Sequence, residues 1–291
     1  MYDITAAPVV RFVREASALS QRELATRAGT TQAVVSRIES GDASPSVEMV
    51  QRLASAAGYE VRLECVPRRV TDPVVEAYKP GVDQTLLVEQ LKKSSEQRIE
   101  TMLSMQSLTG EFRRAGRAAR GQVAERPPAY GGEGKDALRA LQEAGVDLII
   151  IGGLAATLHG SARVTFDIDV LYSRTDENIA RLVAALRPLS PYLRGAPPGL
   201  PFQFDEPTVK AGLNFTLTTS AGSFDLLGEV TGCGRYEDVA VHSRAQSVFG
   251  HDSLVIELDW LINAKRAAGR PKDLEVLAEL EILRDLTEKN R

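Results

Sequence analysis

Asp167, Asp169 and Asp225 are the residues best placed by type and spacing to do chemistry. The first two stand two apart in the run Arg163-Val164-Thr165-Phe166-Asp167-Ile168-Asp169-Val170-Leu171. The apolar residues around them predict a buried strand, where residues two apart point to one face. Like charges on one face repel, and a divalent cation resolves the conflict. Asp225, in the strand-like run Ser223–Leu227, can join that face from a neighbouring strand. Gly152 and Gly153 follow the strand pattern Val146–Ile151 and precede a short helical segment, Leu154–His159. Glycines let a phosphate approach the backbone, and a helix N-terminus favours an anion. Together these residues predict phosphoryl transfer dependent on magnesium (or manganese). Asp167 and Asp169 would hold the metal on a nucleoside triphosphate (NTP). Asp225 would hold a second metal or deprotonate the attacking hydroxyl. The hydroxyl would attack the α-phosphorus and release pyrophosphate. Arg163 suits either a phosphate or a structural acid, and Thr165 lies beside it. His159 suits a helix end better than catalysis.

The pattern resembles the nucleotidyltransferase superfamily related to DNA polymerase β: a Gly-Gly/Ser pair, a spacer, Asp-hydrophobic-Asp, then a later Asp. Here 13 residues separate Gly153 from Asp167, near the upper end of that spacing. Many members carry Ser where this chain has Gly153. A narrower resemblance is to AbiEii-type nucleotidyltransferases of type IV toxin–antitoxin systems. It rests on Gly152-Gly153-Leu154-Ala155, Arg163-x-Thr165-x-Asp167-Ile168-Asp169 and Lys265-x4-Arg270-x-Lys272-Asp273, within about residues 135–285. The resemblance implies that Gly152, Gly153, Arg163, Thr165, Lys265, Arg270 and Lys272 bind nucleotide or acceptor. It also implies that a tRNA end can serve as acceptor. Lys265, Arg270 and Lys272 would equally suit a solvated helix face.

The elements that must position these groups fill only the second half of the chain. We expect three segments: a helical domain at 1–66, a linker with a helical, basic segment at 67–132, and the transferase domain at 133–291. Pro67, Pro73 and Pro80 punctuate the start of the linker; Pro127, Pro128, Gly131 and Gly132 mark its end. Between Lys92 and Arg120, seven basic residues against Glu96, Glu100 and Glu111 suit either a phosphate-contacting arm or a solvated helix. Gly81–Arg98 also resembles a helix ahead of some nucleotidyltransferase domains, which implies a subunit contact.

In the first segment Ser20-Gln21-Arg22-Glu23 reads as a capping box, in which Ser20 caps the helix and Glu23 reaches back to its amide. Leu24, Ala25 and Ala28 form a short apolar face before Gly29. A second helix, Gln32–Ser40, carries Val34, Val35 and Ile38 inward, and a third covers Ser46–Ala57. Two short helices joined by a turn with glycine make a helix-turn-helix. Gln21, Leu24, Ala25, Gly29, Ser36, Arg37, Glu39, Gly41 and Pro45 give it a resemblance to the Xre/Cro repressor family. That resemblance implies binding to operator DNA, with Gln21 and Gln32 contacting phosphate or bases. It also implies that Thr31, Gln32, Ser36 and Arg37 face outward from the recognition helix. The expected architecture is therefore multidomain: an all-α helix-turn-helix unit, then an α/β (α+β) polymerase-β-like domain ending in helices.

Charge constrains the partners. The whole chain has a formal net charge of −4, so it is no general nucleic-acid coat. Residues 1–70 hold nine arginines against eight acids, net +1. Affinity for DNA comes largely from phosphate neutralisation, so a homodimer on a two-fold operator is expected. No apolar run approaches the roughly 20 residues of a membrane helix. Cys65 and Cys233 lie far apart, and no signal pattern opens the chain, which together predict free thiols in the cytoplasm.

Overall fold

A computed structural model describes residues 6–61, 71–119, 134–197, 199–271 and 273–289. The chain divides into two compact units, Met1–Val66 and Pro67–Arg291.

The first unit contains α1 (Ala6–Ala16), α2 (Gln21–Arg27), α3 (Gln32–Ser40) and α4 (Val47–Ala56). Each of the last three starts at a hydroxyl cap, Ser20, Thr31 and Ser46, whose oxygen accepts an amide two or three residues inside the helix. The capping box at Ser20 and Glu23 is complete in both directions. Gly41 ends α3 in the left-handed region, φ 84°. Val10, Val13, Leu24, Val35, Ile38 and Leu53 form the core. Helices this short are unstable alone, so burial of these side chains, about 2 kcal/mol each, holds them. Glu39 is buried among them, 4% exposed. Its carboxylate accepts from Arg14 Nε at 2.7 Å and Gln21 Nε2 at 2.9 Å.

The second unit opens with α5 (Pro73–Tyr78), a 3-10 turn at Lys79–Gly81, α6 (Gln84–Leu91) and α7 (Ser95–Ala119). This corrects the expected linker. Val75, Leu87, Ile99 and Met102 are buried in the same core as the sheet, so helices 73–119 are structural parts of this unit. Their polar residues are committed too. Lys79 of the turn and Arg266 both reach the buried Glu281, at 2.8 and 2.6 Å. Arg98, one of the seven basic residues, donates to the backbone carbonyls of Gln90, Leu91 and Leu158 and is no free phosphate contact.

The remaining elements are α8 (Lys135–Glu143), β1 (Leu148–Ile151), α9 (Gly152–His159), β2 (Ile168–Tyr172), α10 (Asp176–Leu186), β3 (Tyr192–Leu193) and α11 (Glu206–Ala211). They continue with β4 (Asn214–Thr219), β5 (Gly222–Leu227), α12 (Tyr236–Ala240), β6 (Ser243–Val248), β7 (His251–Ile256), α13 (Leu258–Ala268) and α14 (Asp273–Lys289). The strands form one mixed sheet in the order β3-β4-β5-β2-β1-β7-β6. β2 runs antiparallel to β1 and parallel to β5. The central strands are apolar at nearly every position, as burial on both faces requires. Among the described residues no helix is long and apolar enough to cross a membrane. The architecture is a helical helix-turn-helix unit followed by a mixed α/β domain that ends in helices.

Candidate active site and nucleic-acid interface

The sheet register brings the acids together. Ile151 pairs with Asp169, Asp169 with Asp225, and Asp225 with Thr216. Residues paired across strands share a face, so Asp169 and Asp225 are side by side. Asp167 lies one residue before β2, which corrects the expectation that it sits within the strand. It still joins the other two in lining a cavity of about 410 Å³, with Gly153, Arg163, Thr165, Lys265 and Arg270. A second cavity of about 400 Å³ shares Asp169, Asp225, Lys265 and Arg270 and adds the more apolar wall of Phe215, Leu226, Val230 and Leu261.

The carboxylates are crowded. Burial is the main force raising Asp169 above the usual carboxylate range, and Asp167 adds to it; Lys265, the Gly153 amide and Arg270 pull the other way. Asp225 is pushed up to about 6, mostly by burial. Asp169 and Asp167 push in the same direction and Arg194 opposes them. Arg194 donates to Asp225 Oδ1 at 2.7 Å and to Asp167 Oδ2 at 3.3 Å. Among the described residues no group of three or more His, Cys, Asp or Glu side chains is arranged to hold a metal ion. The donor set is nonetheless all carboxylate oxygen, which suits a hard cation such as magnesium. The crowding raises the acids, and a guanidinium supplies the positive charge at this spot.

Gly152 and Gly153 have a spatial reason to lack side chains. Gly152 has φ 63°, and a Cβ there would collide with the Asp169 carboxylate. A Cβ on Gly153 would collide with the Thr165 hydroxyl. Thr165 thus fills the space where a serine at 153 would put its own side chain. The Gly153 amide points at Asp169 Oδ2, 3.4 Å away.

The cationic residues divide. Lys265 and Arg270 line both cavities, and both reach the buried Asp273, at 3.2 and 2.6 Å. Burial raises Asp273, but Arg270 and Lys265 together hold it below its ordinary value. Lys272 lies outside the described residues. Arg163 takes its structural option: Nε meets Glu279 at 2.7 Å and Nη2 meets Glu275 at 3.1 Å. His159 is a partly buried helix-end residue whose Nε2 lies 2.7 Å from the Ile256 carbonyl. Three positioning groups escaped the sequence reading. Arg194 is one. Gln106 of α7 donates to the Thr165 carbonyl, and Glu279 of α14 accepts from the Ser161 hydroxyl and the Ala162 amide. They tie down the irregular loop that leads to Asp167. Of the three, only Gln106 had a sequence signal, since it is a polar residue inside an apolar helical spacing.

In the first unit Gln32, Ser36 and Arg37 are exposed on α3, away from the core, and Thr31, also exposed, is the N-cap whose hydroxyl accepts from the Val34 amide. Ala33 shares that surface, and its methyl suits a thymine methyl, a contact no polar pattern would flag. Gln21 is a correction: its amide is spent on Glu39 inside the unit.

Residues 10–63 match the helix-turn-helix family. No curated protein sequence matches the chain. Among solved structures, the ANT(2")-Ia complex with adenylyl-2"-tobramycin is similar over 54% of this chain and 95% of that one. The identity is 16% and the TM-score 0.33.

Proposed function

We propose that the second unit is a magnesium-dependent nucleotidyltransferase of the AbiEii type and that the first unit regulates its own operator as an antitoxin-like module. The observation that carries this reading is the placement of Asp167, Asp169 and Asp225 around one cavity that Lys265 and Arg270 also line. Asp167 and Asp169, with Asp225, are the residues that would hold magnesium, which when bound would offset charge on the triphosphate. Lys265 and Arg270 bring positive charge to the same cavity for the phosphates of an NTP. Asp225, whose carboxyl burial raises to about 6 in the metal-free chain, would serve either as a ligand of a second metal or as the base that takes the proton of an acceptor hydroxyl. That hydroxyl oxygen bonds to the α-phosphorus as the bond to pyrophosphate breaks. The acceptor we favour is the 3′ end of tRNA. On the DNA side, the functional form is a homodimer.

The test is to incubate the full chain with magnesium, each α-labelled NTP and total RNA. Label should pass to RNA, and it should vanish when Asp167→Ala is combined with Asp169→Ala. Absence of transfer, or transfer undiminished in the double variant, overturns the proposal. The ion pairs of Arg194 with Asp167 and Asp225 favour one alternative, a nucleotide sensor that tunes DNA binding without turnover. Operator affinity that changes with nucleotide, while no product forms, would support it.

A further inference from the structure

A guanidinium sits in the acid site. Arg194 follows β3, the edge strand, and its amide donates to the Thr216 carbonyl at 2.9 Å. That bond puts it at the level of the Thr216–Asp225–Asp169 row. Its side chain reaches over β4, where Nη2 donates to the Leu217 carbonyl at 3.2 Å, and ends on Asp225 and Asp167. One feature separates it from an arginine that only ties strands together: both of its carboxylate partners line the cavity. Its buried Nε has no hydrogen-bond partner among the described residues, as is also so for Arg181 and Arg284. A guanidinium's fork of donors matches phosphate oxygens as well as carboxylate oxygens, so a phosphate can take the place of its present partners.

We infer that Arg194 is a binding residue with two partners in turn: Asp167 and Asp225 in the nucleotide-free chain, and the phosphate oxygens of a triphosphate once a metal–triphosphate enters. This rests on the reading of Asp167, Asp169 and Asp225 as ligands of a divalent cation. Guanidinium and metal compete for the same carboxylate oxygens, so the free chain holds a metal ion poorly by itself. A triphosphate arrives with its own metal and offers the guanidinium new acceptors. The exchange leaves neither the carboxylates nor the arginine uncompensated, and it makes metal and triphosphate bind as a unit.

The experiment uses the full chain with Mn²⁺ as probe, read by electron paramagnetic resonance, with and without inorganic triphosphate. Arg194→Gln should bind Mn²⁺ alone more tightly, by on the order of tenfold, because a competing positive charge is gone. The same variant should bind Mn²⁺–triphosphate more weakly, by on the order of tenfold. Arg194→Lys keeps the charge and should leave Mn²⁺ affinity near that of the parent chain while still weakening triphosphate binding. Mn²⁺ affinity that is unchanged or lower in a natively folded Arg194→Gln overturns the inference. If that variant fails to fold, undiminished triphosphate affinity in Arg194→Lys overturns it. Mn²⁺ binding that Asp169→Asn abolishes but Arg194→Gln leaves unchanged defeats this inference alone. No Mn²⁺ binding by any chain, with or without triphosphate, defeats it together with the transferase reading.

Discussion

Asp169 and Asp225 stand opposite each other on the parallel strands β2 and β5, and both carboxyls are raised above the usual range with burial as the first cause. A charge held where it is disfavoured lowers the stability of the fold for the sake of the site. We therefore expect Asp169→Asn, in protein treated with chelator at neutral pH, to raise the midpoint of thermal unfolding. The gain should be about 2–4 °C for each kcal/mol of relieved strain. The same change should abolish label transfer. A fall in the midpoint, measured by calorimetry, would show that Lys265 and the Gly153 amide hold the charge more strongly than burial disfavours it.

Gly153 and Thr165 are coupled by space. A side chain at 153 meets the Thr165 hydroxyl, so Gly153→Ser should destabilise the unit by about 1–3 kcal/mol through overpacking. Thr165→Gly, which removes the Cβ as well as the hydroxyl, should relieve it. The double variant should be more stable than Gly153→Ser alone, and the coupling, read from urea unfolding, should exceed about 0.5 kcal/mol. Simple additivity of the two changes would defeat the argument.

These two relationships also mark how far the residues alone could be read. The central strands, α9 and the last two helices were legible because β1, β2 and β5 are apolar runs bounded by glycine or charge, and the helices show their own spacing. The three acids were legible for the same reason, since they interrupt apolar runs. Arg194 was not. Its place depends on the register of β3 on β4 and of β4 on β5, and β3 is only two residues long. The segment 71–119 has the prolines and charges of a linker, but these are punctuation only until their partners are known. Lys79 and Arg98 look solvated in the sequence, yet one meets Glu281 and the other caps backbone carbonyls. Arg163 shows the same limit, because both of its options were written in the sequence and only Glu279, 116 positions away, decides between them.

Glu39 makes the first unit sensitive to acid. Burial raises its carboxyl, but the bonds from Arg14 and Gln21 and the charge of Arg11 outweigh that and hold it below the ordinary glutamate value. A depressed acid contributes stability that is present above the unfolded-state pKa and lost as pH falls through the folded-state value. The helix-turn-helix unit should therefore lose stability below about pH 4.5, because protons bind the unfolded chain first. Glu39→Gln should flatten that acid limb. Arg14→Ala should cost about 3 kcal/mol at neutral pH by leaving a buried charge unpaired. Circular dichroism at the helix band as a function of pH checks both, and an acid limb that persists in Glu39→Gln would assign it to another group.

Gln21 and Gln32 are both glutamines at helix starts, yet the structure gives them different work. Gln32 is exposed on α3 beside Ser36 and Arg37, whereas Gln21 donates to buried Glu39 at 2.9 Å. Full-chain binding to a duplex selected from a random pool should separate them. Gln32→Ala and Arg37→Ala should each weaken binding by about 1–3 kcal/mol if they read base edges, and relax the preferred sequence at one position. If Arg37 instead meets a phosphate, its loss should weaken binding to all sequences alike and reduce the salt dependence by about one ion. Gln21→Ala should act through the fold, lowering stability by about 1 kcal/mol with the sequence preference intact. A change of preferred sequence in Gln21→Ala would mean that its bond to Glu39 gives way on DNA and that the glutamine turns outward to the bases.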